Sequence, residues 1–170
     1  MSTLSDYLQN NARWLTAGIL LTCLSSFGQT FFIALFADDI QSVFELSHGG
    51  WGSMYTAGTT ASAIVMVWAG RQADVFRVRT LGVLSLLALA LACVAMALNP
   101  WLWALPFVIF ALRLTGQGMM SHLAAVAMAR WFVATRGRAL SISALGFSIG
   151  QAFLPIAVVA LMAFLDWHVI

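Results

Sequence analysis

The sequence predicts an all-α membrane protein, and three observations lead to this fold class. Of the 170 residues, 62% are hydrophobic and only 8% are charged, and the mean hydropathy is +0.93. A soluble globule of this length would need more polar surface. Long apolar runs alternate with short polar breaks, and each run approaches the ~20 residues that cross roughly 30 Å of hydrocarbon as a helix. The arginines fall in alternate breaks, which indicates a multi-pass protein.

Five transmembrane helices are expected, one for each apolar run. They cover 14–36, 51–69, 81–98, 101–129 and 139–165. Turn residues separate them, with "SHGG" before the second helix, "NP" before the fourth and "RGR" before the fifth. The first run is longer than the ~7–15 residues of a signal-peptide core and lacks a small-residue cleavage pattern, so we expect it to remain as a helix.

The arginine distribution predicts the orientation in the membrane. Seven of the eight arginines lie in alternate breaks, namely Arg13, then Arg71, Arg77 and Arg79, then Arg130, Arg136 and Arg138. The intervening breaks contain none, so the positive-inside rule places the N-terminus in the cytoplasm. We expect a multi-pass protein of a bacterial inner (plasma) membrane that contacts the lipid bilayer. The clusters are too short and separated to form a nucleic-acid surface.

Polar side chains recur at helical spacing on four of these helices and surround the expected polar centre. The stripes are Thr22, Ser25, Ser26 and Gln29; Tyr55, Thr56, Thr59 and Ser62; Arg113, Gln117 and Ser121; and Ser141, Ser148, Gln151 and Pro155. Any single Ser or Thr is expected to serve helix packing. The candidate residues for substrate binding or coupling are Arg113, Gln29, Gln117, Tyr55 and Gln151.

Arg113 is the charged residue whose place within an apolar run most needs an explanation. It lies near mid-membrane in the fourth helix, where an ion costs at least ~2.5–3.5 kcal/mol, and no acid of this sequence lies within an apolar run to pair with it. One interpretation is a cavity arginine that binds an anionic substrate or tunes a proton carrier. The other is a structural tie, satisfied by carbonyls and by Gln29 or Gln117, that holds the first and fourth helices together.

Several stretches resemble one family in order and spacing. The loop "GRQADVFRVR", here called the signature loop (70–79), resembles the loop Gly-x-x-Ala-Asp-Arg-x-Gly-x-Arg of major facilitator superfamily transporters. Gly70, Ala73, Asp74 and Arg79 match, whereas Val75 and Arg77 depart from it. "RLTGQG" is similar to the family's fourth-helix motif. "ARWFVATRGRALSISALGFSIGQAFLP" and the final "DWH" are similar to the following loop, helix and turn, closest in style to monocarboxylate and oxalate/formate transporters.

The resemblance implies a fold and a mechanism. Family members have twelve helices in two halves, each half built from inverted three-helix repeats. Residues 1–170 then form the N-terminal transmembrane domain with its second repeat incomplete, and the sixth helix and the C-terminal half are missing partners. The implied function is secondary active transport of a small solute, such as a monocarboxylate or other organic anion, by alternating access. Proton symport is implied by the resemblance alone, and no cofactor, metal or enzymatic activity is expected.

The signature loop receives a conformational role from the same resemblance. Gly70, Asp74, Arg77 and Arg79 form the implied motif, in which the Asp stabilises the outward-facing state by pairing with basic residues and a helix end of the other half. The departures at Val75 and Arg77 place the usual local charge pairing in question. A carboxylate is favoured both beside arginines and at a helix N-terminus.

Other functions remain open at this point. One is an exporter of an uncharged or cationic compound, and another is a small membrane subunit or a truncated, inactive fragment. "GFSIG" (146–150) formally matches a serine-hydrolase elbow around Ser148, but it lies in an apolar helix without a preceding strand. For proton coupling, Asp38, Asp39 and His122 are expected to be helix-end residues rather than carriers at mid-membrane.

Overall fold

The computed structural model describes residues 4–170, and this part of the chain is helical without any strand. The α-helices are α1 (Leu4–Leu24), α2 (Thr30–Ala34), α3 (Ala37–Val43), α4 (His48–Ala69), α5 (Gln72–Val75), α6 (Val78–Ala97), α7 (Leu105–Leu112), α8 (Ser121–Trp131) and α9 (Arg136–Met162). Short 3₁₀ turns cover Ser25–Gly28 and Leu102–Ala104, and a π-helical segment covers Arg113–Met120. The all-α prediction is therefore confirmed.

Four stretches are long and apolar enough to cross a membrane. They are Leu4–Ala34, Val78–Ala97, Leu102–Trp131 and Arg136–Met162. The helix α4 corresponds to the second predicted span and has 22 residues, but it is not among the four. Its Gly, Ser, Thr and Tyr residues lower the mean hydropathy of the helix, and Gly58 and Ser62 are its buried residues.

The first predicted helix, 14–36, differs from the structure at both ends. The chain is already helical at Leu4, because the polar stretch before Trp14 packs onto the turn between α8 and α9. Tyr7 is buried there, its hydroxyl is 3.2 Å from Thr135 Oγ1, and its ring lies 6.1 Å from that of Phe132. A hydropathy window cannot detect this contact because it is tertiary.

The same predicted helix is also broken in its second half. After the 3₁₀ turn Ser25–Gly28, Gln29 is extended with ψ 154°, and a new helix begins at Thr30. Serine and glycine are weak helix formers, so this stretch departs from α geometry at low cost. The fourth predicted helix, 101–129, is likewise divided, and α8 continues to Trp131.

The remaining predicted helices, 51–69, 81–98 and 139–165, begin three residues earlier in the structure, at His48, Val78 and Arg136. Their first turns are polar and lie outside the apolar windows. Ser47 caps α4 by accepting a hydrogen bond of 3.1 Å from the Gly50 N–H.

The helices pack so that the first and fourth spans lie at the centre. The helix α1 contacts α8 and α9, α4 contacts α7 and the π-helical segment, and α6 packs on the other side of the same two elements. We call the end of the bundle that contains the signature loop and the α8–α9 turn the basic end. Because the first and fourth spans cross in the middle of the bundle, polar groups that they contribute there are enclosed.

Candidate functional site

Arg113 begins the π-helical segment of the fourth span and points into the bundle. Only 8% of the residue is exposed. Isolated π-helical turns are rare and often occur at functional sites, and the two glycines of "RLTGQG" lower the cost of leaving α geometry. The sequence places this charge within an apolar run, and the structure buries the side chain inside the bundle, while its role in binding stays a prediction.

The backbones of Gly28 and Gly116 touch where the first and fourth spans cross. A Cβ on Gly28 would overlap the carbonyl oxygen of Leu112 and would lie 2.7 Å from Gly116 Cα. A Cβ on Gly116 would lie 2.6 Å from Gly28 Cα. Only glycine fits at both positions, and this close approach brings the broken part of the first span within reach of Arg113.

Arg113 binds both sides of that break through one nitrogen. Its Nη1 donates to Thr30 Oγ1 at 2.9 Å and to the carbonyl oxygen of Gly28 at 3.4 Å. Tyr55 on α4 donates from its hydroxyl to the same Thr30 oxygen at 3.0 Å, and its ring centroid lies 5.8 Å from Arg113 Cζ. We call Gly28, Thr30, Tyr55 and Arg113 the Arg113 cluster.

The cluster has more hydrogen-bond donors than acceptors. A guanidinium carries five N–H groups and no acceptor, and only Nη1 is used. The Nε–H is buried without a partner, and Nη2 makes no hydrogen bond within residues 4–170. No carboxylate of the described residues lies within ion-pair distance of Arg113. A buried cation with free donors on one edge is suited to a planar anion, since a carboxylate accepts two parallel N–H bonds.

Both sequence interpretations of Arg113 find support in this geometry. The bonds to Gly28 and Thr30 join the first and fourth spans, as a structural tie would. They leave the Nε and Nη2 edge unpaired, as a binding residue would. A purely structural arginine would be expected to use more of its donors, because an unpaired buried donor costs about 1–3 kcal/mol.

The three glutamines predicted for this site take no part in the cluster. Gln29 is half-buried at the break, and Gln117 and Gln151 are exposed on their helices. None of their side chains forms a hydrogen bond in the part of the chain that the structure describes. Their roles in substrate binding stay predictions. Thr30, which sequence reasoning missed, occupies the place expected for Gln29.

At the basic end, the signature loop is fixed by the fourth span. Asp74 in α5 forms an ion pair with Arg130 of α8, with Nη2 and Oδ1 2.8 Å apart. Arg130 Nη1 donates to the carbonyl oxygen of Ala73 at 2.6 Å. Both side chains of the pair are well exposed, 44% for Arg130 and 76% for Asp74. One guanidinium thus holds the backbone and the carboxylate of the loop together.

The other members of the predicted motif have different surroundings. Gly70 ends α4, and its carbonyl oxygen lies 3.2 Å from His122 Nε2. Arg77 precedes the first residue of α6 and Arg79 lies in its first turn, and both are exposed. Neither is within ion-pair distance of Asp74, so the basic partner within this chain is Arg130, which the sequence analysis assigned only to topology.

Comparison with known proteins identifies the family. The family model described as the Major Facilitator Superfamily matches residues 18–170, which is almost the whole chain. No curated protein and no solved structure matches. The match includes both the Arg113 cluster and the signature loop, and the monocarboxylate or oxalate/formate style of the loops receives no separate support from it. The helical bundle, the signature loop and the family match lead to one conclusion: the chain belongs to the Major Facilitator Superfamily.

Proposed function

We propose that this transporter chain contributes the anion-binding side of a secondary active transporter that moves a small organic anion, a monocarboxylate in the first instance. The observation that supports the proposal is Arg113, buried at mid-span, with a free Nε and Nη2 edge and no carboxylate partner among residues 4–170. A substrate carboxylate supplies both the missing negative charge and the two missing acceptors.

The surroundings of this edge favour a small substrate with an apolar body. The ring centroid of Tyr55 lies 5.8 Å from Arg113 Cζ, so an aromatic face lies against the guanidinium. Aromatic walls with a few polar groups are typical of small-molecule sites. Alternating access is the mechanism that follows from family membership, and the pair of Asp74 and Arg130 at the basic end is a candidate latch for it.

The proposal is tested by binding to the full-length protein. Labelled benzoate and lactate are compared with uncharged benzamide and cationic benzylammonium, and uptake of each is measured at two external pH values. We expect the carboxylates to bind and benzamide and benzylammonium not to. Faster carboxylate uptake at the lower pH would support proton symport. Preference for benzamide or benzylammonium would instead establish the exporter alternative and end the anion proposal.

Substitution of Arg113 separates binding from structure. Arg113→Lys keeps the charge but loses the planar fork, so benzoate affinity should fall about tenfold, and Arg113→Gln should lower it about a hundredfold. Both variants should also melt a few degrees lower because the bonds to Gly28 and Thr30 are lost. The matched control is Arg136→Gln, an exposed arginine of the basic end, which should leave affinity unchanged. Full affinity in Arg113→Gln beside a lower melting temperature would show that Arg113 is only a structural tie.

A further inference from the structure

Thr30 holds an unusual position in the Arg113 cluster. Its oxygen accepts hydrogen bonds from both Arg113 Nη1 and the Tyr55 hydroxyl. A hydroxyl oxygen has two lone pairs, so both are occupied and the hydroxyl proton remains as a free donor. Thr30 therefore receives hydrogen bonds from α4 and from the fourth span at once.

Thr30 is also the first residue after the break in the first span. Gly28 ends the 3₁₀ turn before the break, Gln29 is extended, and α2 begins at Thr30. Because Arg113 Nη1 binds Gly28 on one side and Thr30 on the other, a single nitrogen fixes the geometry of the break. One turn later, Ile33 is buried in the same apolar cluster as Leu112, the residue before Arg113.

These contacts make the orientation of the guanidinium and the position of α2 depend on each other. With Nη1 held by Thr30, the Nε and Nη2 edge is the one left for a ligand. A carboxylate on that edge would hold the guanidinium from the side opposite Thr30, so the bound anion would act on α2 through Arg113 Nη1 and its hydrogen bond to Thr30. Rigid segments joined through such a hydrogen-bonded group are the physical means by which a site is coupled to a distant element.

We propose that Thr30 is a positioning residue that orients Arg113 for the substrate carboxylate and transmits occupation of the site to α2, the segment that leads toward the end of the bundle opposite the basic end. This inference rests on the proposed anion site. It assigns to the break in the first span a specific role, because a continuous helix could not change its second half independently of its first.

The experiment uses the full-length protein with Cys23 and Cys93 replaced by alanine and with Ala34→Cys as a reporter on α2. Ala34 is exposed. The matched control reporter is Ser53→Cys, an exposed position of α4 outside the proposed coupling. Saturating benzoate should slow modification of Ala34→Cys by a thiol reagent at least threefold and should leave Ser53→Cys unchanged.

Substitution of Thr30 then distinguishes positioning from simple packing. Thr30→Val keeps the shape and removes the hydroxyl, so benzoate affinity should fall about tenfold, as expected for one charge-assisted hydrogen bond, and Ala34→Cys should stop responding to saturating benzoate. Thr30→Ser should retain both properties. If Thr30→Val does not fold, Thr30→Ala provides the same comparison.

The outcomes separate this inference from the proposed function. If the protein with Thr30 intact binds no carboxylate, both fail together. If it binds benzoate and loses it with Arg113→Gln, but Thr30→Val shows the same affinity and the same protection of Ala34→Cys, the anion site stands and the role of Thr30 is wrong. Loss of both in Thr30→Val and their retention in Thr30→Ser would support it.

Discussion

Arg113 and Arg130 lie on the same span, 17 positions and about 25 Å apart, and they have opposite surroundings. Arg113 is buried and has no carboxylate partner among the described residues. Arg130 is well exposed and has one, in Asp74. Water alone would solvate the exposed charge of Arg130 at little cost, whereas the buried charge of Arg113 has the greater need of a negative partner.

The difference indicates that the two arginines serve different partners. Arg130 donates to the signature loop, from Nη1 to the Ala73 carbonyl oxygen and from Nη2 to Asp74, so its charge is paired within the chain. Arg113 uses one nitrogen and leaves an edge unpaired. An arginine whose charge is paired within the chain suits a latch between protein segments, and a buried one without a carboxylate partner suits a ligand that arrives and leaves.

The largest expected effect concerns the orientation of the fourth span, that is, which of its two ends faces the outside of the cell. Ser42→Cys on α3 should react completely with an impermeant thiol reagent added to intact cells, and Ala134→Cys, in the turn next to Arg130, should react only after permeabilisation. Both positions are exposed, and Cys23 and Cys93 are replaced by alanine. The reverse pattern would place Arg130 outside and overturn the orientation predicted from the arginines.

The second prediction concerns the crossing that holds Arg113 in place. Gly28→Ala should destabilise the fold by more than about 3 kcal/mol, because its Cβ would meet backbone atoms that cannot move aside. The control at the basic end is Gly137→Ala in the first turn of α9, where a Cβ meets no atom within 4 Å. Melting temperature and yield of monodisperse protein measure both. Equal behaviour of the two variants would contradict the close backbone contact.

The smallest effect is expected from the pair of Asp74 and Arg130. A double-mutant cycle with Asp74→Asn and Arg130→Gln should give a coupling energy of only ~0.2–1 kcal/mol, since the pair is exposed to solvent. Arg130→Gln should cost more than Asp74→Asn, because it also loses the bond to Ala73. Both variants should slow transport and leave benzoate affinity within about twofold. A wild-type transport rate in Asp74→Asn would end the latch interpretation.

Much of the fold is predictable from the sequence because apolar length and helical periodicity are local properties. The position of Arg113 follows from them, since a charge twelve residues into an apolar run must be buried. The identity of its hydrogen-bond partner does not follow from these local properties. The stripe of Thr22, Ser25, Ser26 and Gln29 assumes a continuous helix, and the break at Gln29 changes the direction of the residues that follow. Thr30 therefore reaches Arg113 in place of Gln29.

The partner of Asp74 could not be predicted for a different reason. The departures at Val75 and Arg77 are visible in the sequence, but the compensating arginine lies 56 residues away at the end of α8. Only the packing of the second and fourth spans brings these two loops together. Periodicity identifies the faces of a helix, and it contains no information on which helix ends meet.

The docking of Tyr7 has a consequence for the order in which the protein forms in the cell. Its partner Thr135 follows 128 residues later, and at ~5–20 residues per second synthesis of that interval takes roughly 6 to 26 s. The fifth span emerges later still. Thr22 of the first span donates to the carbonyl oxygen of Ser143 on this fifth span at 2.6 Å. Until the fourth span is made, the first span is in the membrane with its serine-rich break unpartnered, because Arg113 follows Thr30 by 83 residues. We therefore expect the nascent chain to depend on the insertion machinery to shield that break until the fourth span arrives.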